Sequence, residues 1–215
     1  MNNGTFEYKM PQNVVFLTCG VDVMDDSLEG EVKAWDEKEH CFGLFIFRIE
    51  GSPGQNKVWC KLGNIISSFY ETEDNDKIKI SCTCIDSGGH FTDEVYKFCK
   101  EREHNNVYAV KGKTESRKTL ISSVNTSNKA NIKLFMINSD IAKELIFEKL
   151  KNGEMHFFNF YSNEYFLQLR GEKRIETSTV TRWRAIRAQR QALDYTVNNF
   201  VAYEIVKPKQ RMVLK

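Results

Sequence analysis

The stretch VVFLTCGVDV, residues 14–23, is apolar almost without interruption and is followed by the turn residues Asp25, Asp26 and Ser27. A run of this length bounded by turn signals reads as a strand buried on both faces, which belongs in the middle of a sheet. LEGEVKAWD (28–36) sets Leu28, Val32 and Ala34 against Glu29, Glu31 and Lys33, predicting a second strand with one wet face. HCFGLFIFRI (40–49) follows after only Glu37, Lys38 and Glu39 and reads as a third strand. Strands joined by turns this tight predict an antiparallel meander.

Beyond residue 50 the periodicity changes. KVWCKLGNIISSFY (57–70) spaces Val58, Leu62, Ile65, Ile66 and Phe69 on one helical face, and KIKISCTCID (77–86) is a fourth strand. FTDEVYKFCKERE (91–103) returns to helix through Phe91, Val95, Phe98 and Cys99, and NVYAVKG (106–112) gives a fifth strand. Residues 113–131 are polar and predict a mobile surface loop. IKLFMIN (132–138) reads as a strand, and SDIAKELIFEKLK (139–151) as a helix capped by Ser139 or Asp140. Residues 171–184 predict an exposed hairpin, and RAQRQALDYTVNNFVAYEIV (187–206) a long helix stopped near Pro208. The reading is therefore a mixed α/β sheet, an antiparallel meander followed by alternating helices and parallel strands, with flanking helices and a C-terminal helix. Residues 1–12 read as a tail or linker, 13–207 as one domain and 208–215 as a C-terminal tail.

Composition narrows the class. Apolar residues make up 41% and charged residues 28%, the balance of a globular domain. No segment reads as a signal peptide or reaches the roughly 18 apolar residues that cross a bilayer, so the expectation is an intracellular protein. Cys19, Cys41, Cys60, Cys82, Cys84 and Cys99 lie singly in apolar stretches, without zinc spacing, and are expected to be buried reduced thiols. The net charge of +2 does not by itself indicate a nucleic-acid partner.

The informative residues are acids in places where acids are costly. Asp22 interrupts the first strand at its C-terminal end, and Asp86 closes the fourth strand before Ser87, Gly88 and Gly89. If these strands lie parallel and adjacent, both carboxylates emerge at the sheet edge where α/β folds hold ligands. On the terminal helix, Arg187, Arg190, Gln191, Asp194 and Asn198 share a face, opposite a stripe of Leu193, Val197, Phe200, Val201 and Ile205. Asp22, Asp86 and Asp194 brought together would repel one another unless divalent cations sat among them. Two hard cations about 4 Å apart would orient a water and stabilise the leaving oxygen of a phosphodiester, with Asp22 between the ions. The plainer alternative stays open: Asp22 in a turn, Asp86 capping the next helix, and Asp194 paired with Arg190 at i−4. Asp25 and Asp26 read as turn residues, Asp140 as a helix-start residue and His90 as fixing a helix start or touching the site.

Four segments in this order, GVDVMDDSLE (20–29), IDSGGHFTDEVYKFC (85–99), VYAVKG (107–112) and ALDY (192–195), resemble the nuclease domain of the large terminase subunit of tailed phages, lambda-type (GpA) class. The resemblance spans about Phe16 to Val206. It implies a ribonuclease H-like fold and an endonuclease that cuts double-stranded DNA concatemers with two divalent cations, Mg2+ or Mn2+, during genome packaging in the host cytoplasm. By motif it assigns Asp22, Asp86 and Asp194 as catalytic metal ligands. It further implies the terminase small subunit and the portal or procapsid as partners, with no membrane. Family members commonly carry Asn-Glu before Ala-Leu-Asp, where this chain has Arg190 and Gln191, so the surroundings of Asp194 are open. No G-x-x-x-x-G-K-[ST] occurs, so the ATPase motor of a complete large subunit is absent from this chain, which is expected not to translocate DNA alone.

Phosphate contacts are expected from Lys111, Lys113, Arg117 and Lys118 after the fifth strand and from Arg182, Arg184, Arg187 and Arg190 between hairpin and helix, beside Lys173 and Arg174. Trp183, between two arginines, is read as packing the hairpin onto the domain. With no pattern for base recognition, contacts to phosphate and duplex shape are expected. Two other functions fit the same residues: a junction resolvase or transposase-like enzyme, and a catalytically silent DNA-binding packaging module.

Overall fold

The structure is a computed structural model that describes residues 10–11, 13–113, 119–176 and 181–213. The central run forms β1 (Val14–Val23), paired antiparallel with β2 (Ser27–Asp36), which pairs antiparallel with β3 (Cys41–Glu50). On the other side of β1 lies β5 (Lys77–Asp86), parallel to it, then β6 (Val107–Gly112) and β8 (Leu134–Ile137), also parallel. An antiparallel strand, β7 (Ile121–Asn125), closes one edge, and the short β9 (Met155–His156) pairs with β3 at the other. The order β7-β8-β6-β5-β1-β2-β3-β9 puts β1 inside a mixed sheet, while β4 (Phe69–Glu71) pairs with the start of β5. A central first strand with its meander on one side and parallel strands on the other is the ribonuclease H-like arrangement that the sequence reading anticipates.

The period of two along β1 assigns the layers. Leu17, Cys19 and Val21 face a core shared with α1 (Asn56–Ser67) and α2 (Thr92–Arg102), through Trp59, Leu62, Val95 and Phe98. The opposite face packs against α3 (Ser139–Lys151), α4 (Asn163–Leu169) and α5 (Gln191–Val213), through Ile146, Leu169, Leu193 and Phe200. The hairpin of β10 (Glu172–Glu176) and β11 (Thr181–Ala185) is a separate two-stranded sheet. Trp183 anchors it by stacking on Phe147 of α3, with ring centroids 4.9 Å apart.

The approach of α5 to β1 depends on Gly20. A Cβ there would lie 2.0 Å from the carbonyl oxygen of Tyr195 and 2.6 Å from the amide nitrogen of Asn199. The absent side chain lets the helix backbone rest directly on the strand.

The expected wet face of β2 is not wet. Glu31 and Lys33 have no exposure, because α4 and α5 cover that face. Lys33 Nζ lies 2.6 Å from Glu31 Oε1, and the Tyr161 and Tyr165 hydroxyls donate to the same carboxylate at 2.5 and 2.9 Å. Trp35 Nε1 donates to Thr18 Oγ1, which donates in turn to Asn199 Oδ1, each at 2.8 Å. A buried polar seam with its partners in place thus lies beneath α5.

Other expectations shift for local reasons. Phe69 leaves the α1 face for β4 and is 54% exposed, since Ser68 is extended and its amide closes the helix on the Ile65 carbonyl. The expected loop over residues 113–131 contains β7, secured where Ser122 Oγ donates to the Met136 carbonyl. The α3 cap is Asn138, whose side chain accepts from the Asp140 and Ile141 amides, so Asp140 is a helix-start residue and Ser139 is freed from capping. Helix α5 starts at Gln191 and continues past Pro208 to Val213, where a tail was expected. Met10, read as part of a tail, is 2% exposed and bridges to Thr72. Five of the six cysteines are buried as expected, and Cys60 is exposed on α1.

Gly20→Ala is expected to force α5 off β1 and to cost more than about 3 kcal/mol, the upper part of the usual range for point substitutions. Chemical denaturation compared with Gly63→Ala, whose Cβ meets only the Arg102 side chain beyond 3.5 Å, tests this.

Candidate active site

The parallel register pairs Val21 with Ile85, so Asp22 and Asp86 stand side by side where their strands end. They share a face with Thr18, Gly20, Cys82 and Cys84, the face that α5 covers. Asp22 is 8% exposed, and its Oδ1 accepts the Val23 amide at 3.0 Å. Asp86 Oδ1 accepts the Gly88 amide at 3.2 Å, and a Cβ on Gly88 would sit 3.4 Å from both Asp86 oxygens, so glycine leaves this carboxylate room. The Ser87 amide and hydroxyl both donate to the Val110 carbonyl, tying the loop after β5 to β6.

Asp194 comes from the first turn of α5. Its height over the sheet is set by Asn198, one turn on, whose Nδ2 donates to the Val21 carbonyl at 2.8 Å. The polar stripe expected on this helix therefore divides: Asp194 and Asn198 turn into the fold, while Arg187 reaches Glu164 at 3.1 Å.

Asp22, Asp86 and Asp194 line one open cleft of ≈ 260 Å³. Gly112, Ile137, Ser139, Lys143, Val197 and Asn198 complete its lining. Among the described residues, none of the three aspartates forms an ion pair with a basic side chain. Burial, followed by the charges of Asp194 and Asp86, pushes Asp22 up to about 8. Burial also lifts Asp194 to about 6 against the pull of Arg190 and Lys143. Asp86 is raised by burial, while the Gly88 and Ser87 amides and the Lys111 charge oppose the rise. The donor set fits a hard divalent cation: three carboxylates on one cleft, short of counter-charge, whose ionised forms a cation would favour. Among the described residues, no group of three or more His, Cys, Asp or Glu side chains is already placed to hold a metal ion, so the three acids share a cleft and not a formed site.

The expected phosphate contacts are distributed unevenly. Lys111 and Lys113 are exposed at the end of β6, and Arg182 and Arg184 are exposed on β11. Arg187 and Arg190 are engaged within the fold, on Glu164 and on Glu172, the latter at 3.2 Å. Arg117 and Lys118 lie outside the described residues. His90 Nδ1 lies 2.9 Å from Asp25 Oδ1, so these exposed residues link the loops that follow Asp22 and Asp86. The sequence reading took Ser139 only as a helix cap and gave Lys143 and Glu172 no role. The i, i+4 spacing of Ser139 and Lys143 was the available signal, and nothing local marks Glu172.

The family described as terminase large subunit gpA, endonuclease domain, matches residues 3–213. The large terminase subunit of Enterobacteria phage P21 is 29% identical over 142 residues, covering 66% of this chain and 22% of that protein. The large terminase subunit of Escherichia phage lambda is 26% identical over 212 residues, covering 91% of this chain and 33% of that protein. The chain thus spans a third or less of the length of these curated relatives. Among solved structures, a Fowlpox virus resolvase in complex with Holliday junction DNA covers 93% of this chain and 100% of its own, at 12% identity and TM-score 0.38. The yeast mitochondrial Holliday junction resolvase covers 96% of this chain and 89% of its own, at 8% identity and TM-score 0.41. Likenesses this slight carry no argument about substrate. On the match over nearly its whole length, the chain belongs to the family of terminase large subunit gpA endonuclease domains.

Proposed function

We propose that this chain is a metal-dependent DNA endonuclease that cuts double-stranded DNA concatemers during phage genome packaging. The observation that carries the reading is the convergence of Asp22, Asp86 and Asp194, from β1, β5 and α5, on one cleft, with no direct ion pair to a basic side chain among the described residues. These three residues would hold Mg2+ or Mn2+, two ions in the full reading. Bound divalent ions supply Lewis-acid activation of the attacking water and of the scissile phosphate. The chain's own contribution is positioning: Asn198 fixes Asp194 against β1, and the Gly88 amide holds the Asp86 carboxylate. Lys111 stands beside Asp86 and provides a phosphate contact, with Lys113, Arg182 and Arg184 offering further positive charge to the backbone. In the whole large subunit, an ATPase motor would feed the duplex and the small subunit would choose the site, with the portal or procapsid as the docking partner in the host cell.

Nicking and linearisation of supercoiled plasmid test the reading. Cutting is expected in Mn2+ or Mg2+ and not in EDTA, and Asp22→Asn, Asp86→Asn and Asp194→Asn should each lower it by about 100-fold or more. Parental cutting by all three variants would remove the assignment, and a strong preference for four-way junctions over linear duplex would favour a resolvase.

Stability separates a cation site from an ordinary ion-pair cluster. A carboxylate raised in the folded state loses stability as pH rises through the window from 3.8 towards about 8, because the folded form must then hold the charge. Asp22→Asn should therefore melt higher than the parent in EDTA at pH 8, by about 2–4 °C for each kcal/mol relieved. A lower melting temperature would show that the Asp22 charge is already compensated.

Lys111→Ala is expected to weaken duplex binding and to reduce the salt slope by about one unit. Unchanged affinity would exclude the phosphate contact.

A further inference from the structure

We propose that Glu172 is a positioning residue that holds the Lys143 ammonium away from the aspartates and so keeps the cleft open to a divalent cation. The inference rests on the reading of the cleft as a cation site. Lys143 projects from α3 into the wall of the same cleft, and its side chain is only 11% exposed. An ammonium this enclosed needs an anion, and the flexible lysine stem lets it choose among those within reach. It is paired with Glu172 Oε2 at 2.7 Å. The Glu172 side chain is 9% exposed, and its second oxygen faces Arg190 Nε at 3.2 Å. Arg190 is pinned in turn, since its Nη1 donates to the Arg187 carbonyl at 3.1 Å. One buried carboxylate, from the first residue of β10, thus pairs with both Lys143 and Arg190, the two cations whose charges act on Asp194.

Without that carboxylate, the remaining counter-charges for Lys143 in the cleft are the aspartates themselves. A lysine seated on Asp194 would provide the compensation that a metal ion otherwise provides, and the two would compete for the same oxygens. The hairpin therefore has a consequence for the cleft beyond its packing on Phe147: its first residue holds the lysine aside. A role confined to anchoring the hairpin makes a different prediction, because removing the lysine would not repair the loss of the glutamate.

Mn2+ binding to the full chain without DNA is the test, read by calorimetric titration and by the rise in melting temperature with added Mn2+. Glu172→Gln is expected to bind Mn2+ at least about tenfold more weakly than the parent, the scale of one nearby charge at a partly buried site. Lys143→Met should bind as tightly as the parent or more tightly, and Glu172→Gln combined with Lys143→Met should return to parental affinity. Unchanged affinity in Glu172→Gln, or a double variant as weak as the single one, would overturn the proposal. If Glu172→Gln does not fold, Lys143→Met decides: equal or tighter binding supports the proposal and weaker binding contradicts it. A parent chain that takes up no Mn2+ overturns the reading of the cleft itself, and this inference with it.

Discussion

The contact between the backbone of α5 and the backbone of β1 at Gly20 is the constraint on which the rest depends. Because residue 20 has no side chain, the Tyr195 carbonyl sits where a Cβ would be, and the helix lies lower on the sheet than packed side chains would allow. Asn198 and Asn199 then reach main-chain carbonyls of the strands beneath, Val21 on β1 and Glu31 on β2. Those bonds set both the height and the rotation of the helix. Asp194, one turn before Asn198, is carried to the ends of β1 and β5 as a consequence. The site is thus assembled by main-chain geometry, and its three acids need not attract one another to meet.

The same close approach explains how the molecule tolerates so much buried charge. Beneath α5 the Glu31–Lys33 pair is enclosed but fully partnered, with two tyrosine hydroxyls completing the carboxylate. At the strand ends the acids are enclosed and only partly partnered, by main-chain amides and by charges at a distance. One group of buried ions is satisfied from within the chain. The other is not, the contrast expected if the proposed cation site is a binding cluster and the Glu31–Lys33 seam a structural one.

Local periodicity carried much of the fold. Val14–Val23, Lys77–Asp86 and Ser139–Lys151 were legible residue for residue, since a buried run, a strand ending in an acid and an amphipathic helix each announce themselves within a short window. The three aspartates were legible as misplaced charge, and the motif resemblance tied them together. The covered face of β2 was not legible, because Tyr161, Tyr165 and Asn199, which enclose it, arrive from far along the chain. Residues 121–125 look polar because an edge strand buries so little of itself. Lys143 and Glu172 escaped notice for a related reason: their meaning lies in a contact between α3 and the hairpin, and neither segment hints at the other.

The central claim is that Asp22, Asp86 and Asp194 share divalent metal, and anomalous scattering from crystals of the chain soaked in Mn2+ tests it most directly. The account predicts Mn2+ peaks within coordination distance of carboxylate oxygens from all three aspartates, lost in Asp86→Asn crystals. Mn2+ bound elsewhere, or a cleft that stays free of Mn2+ at concentrations where the same protein cuts DNA, would contradict it.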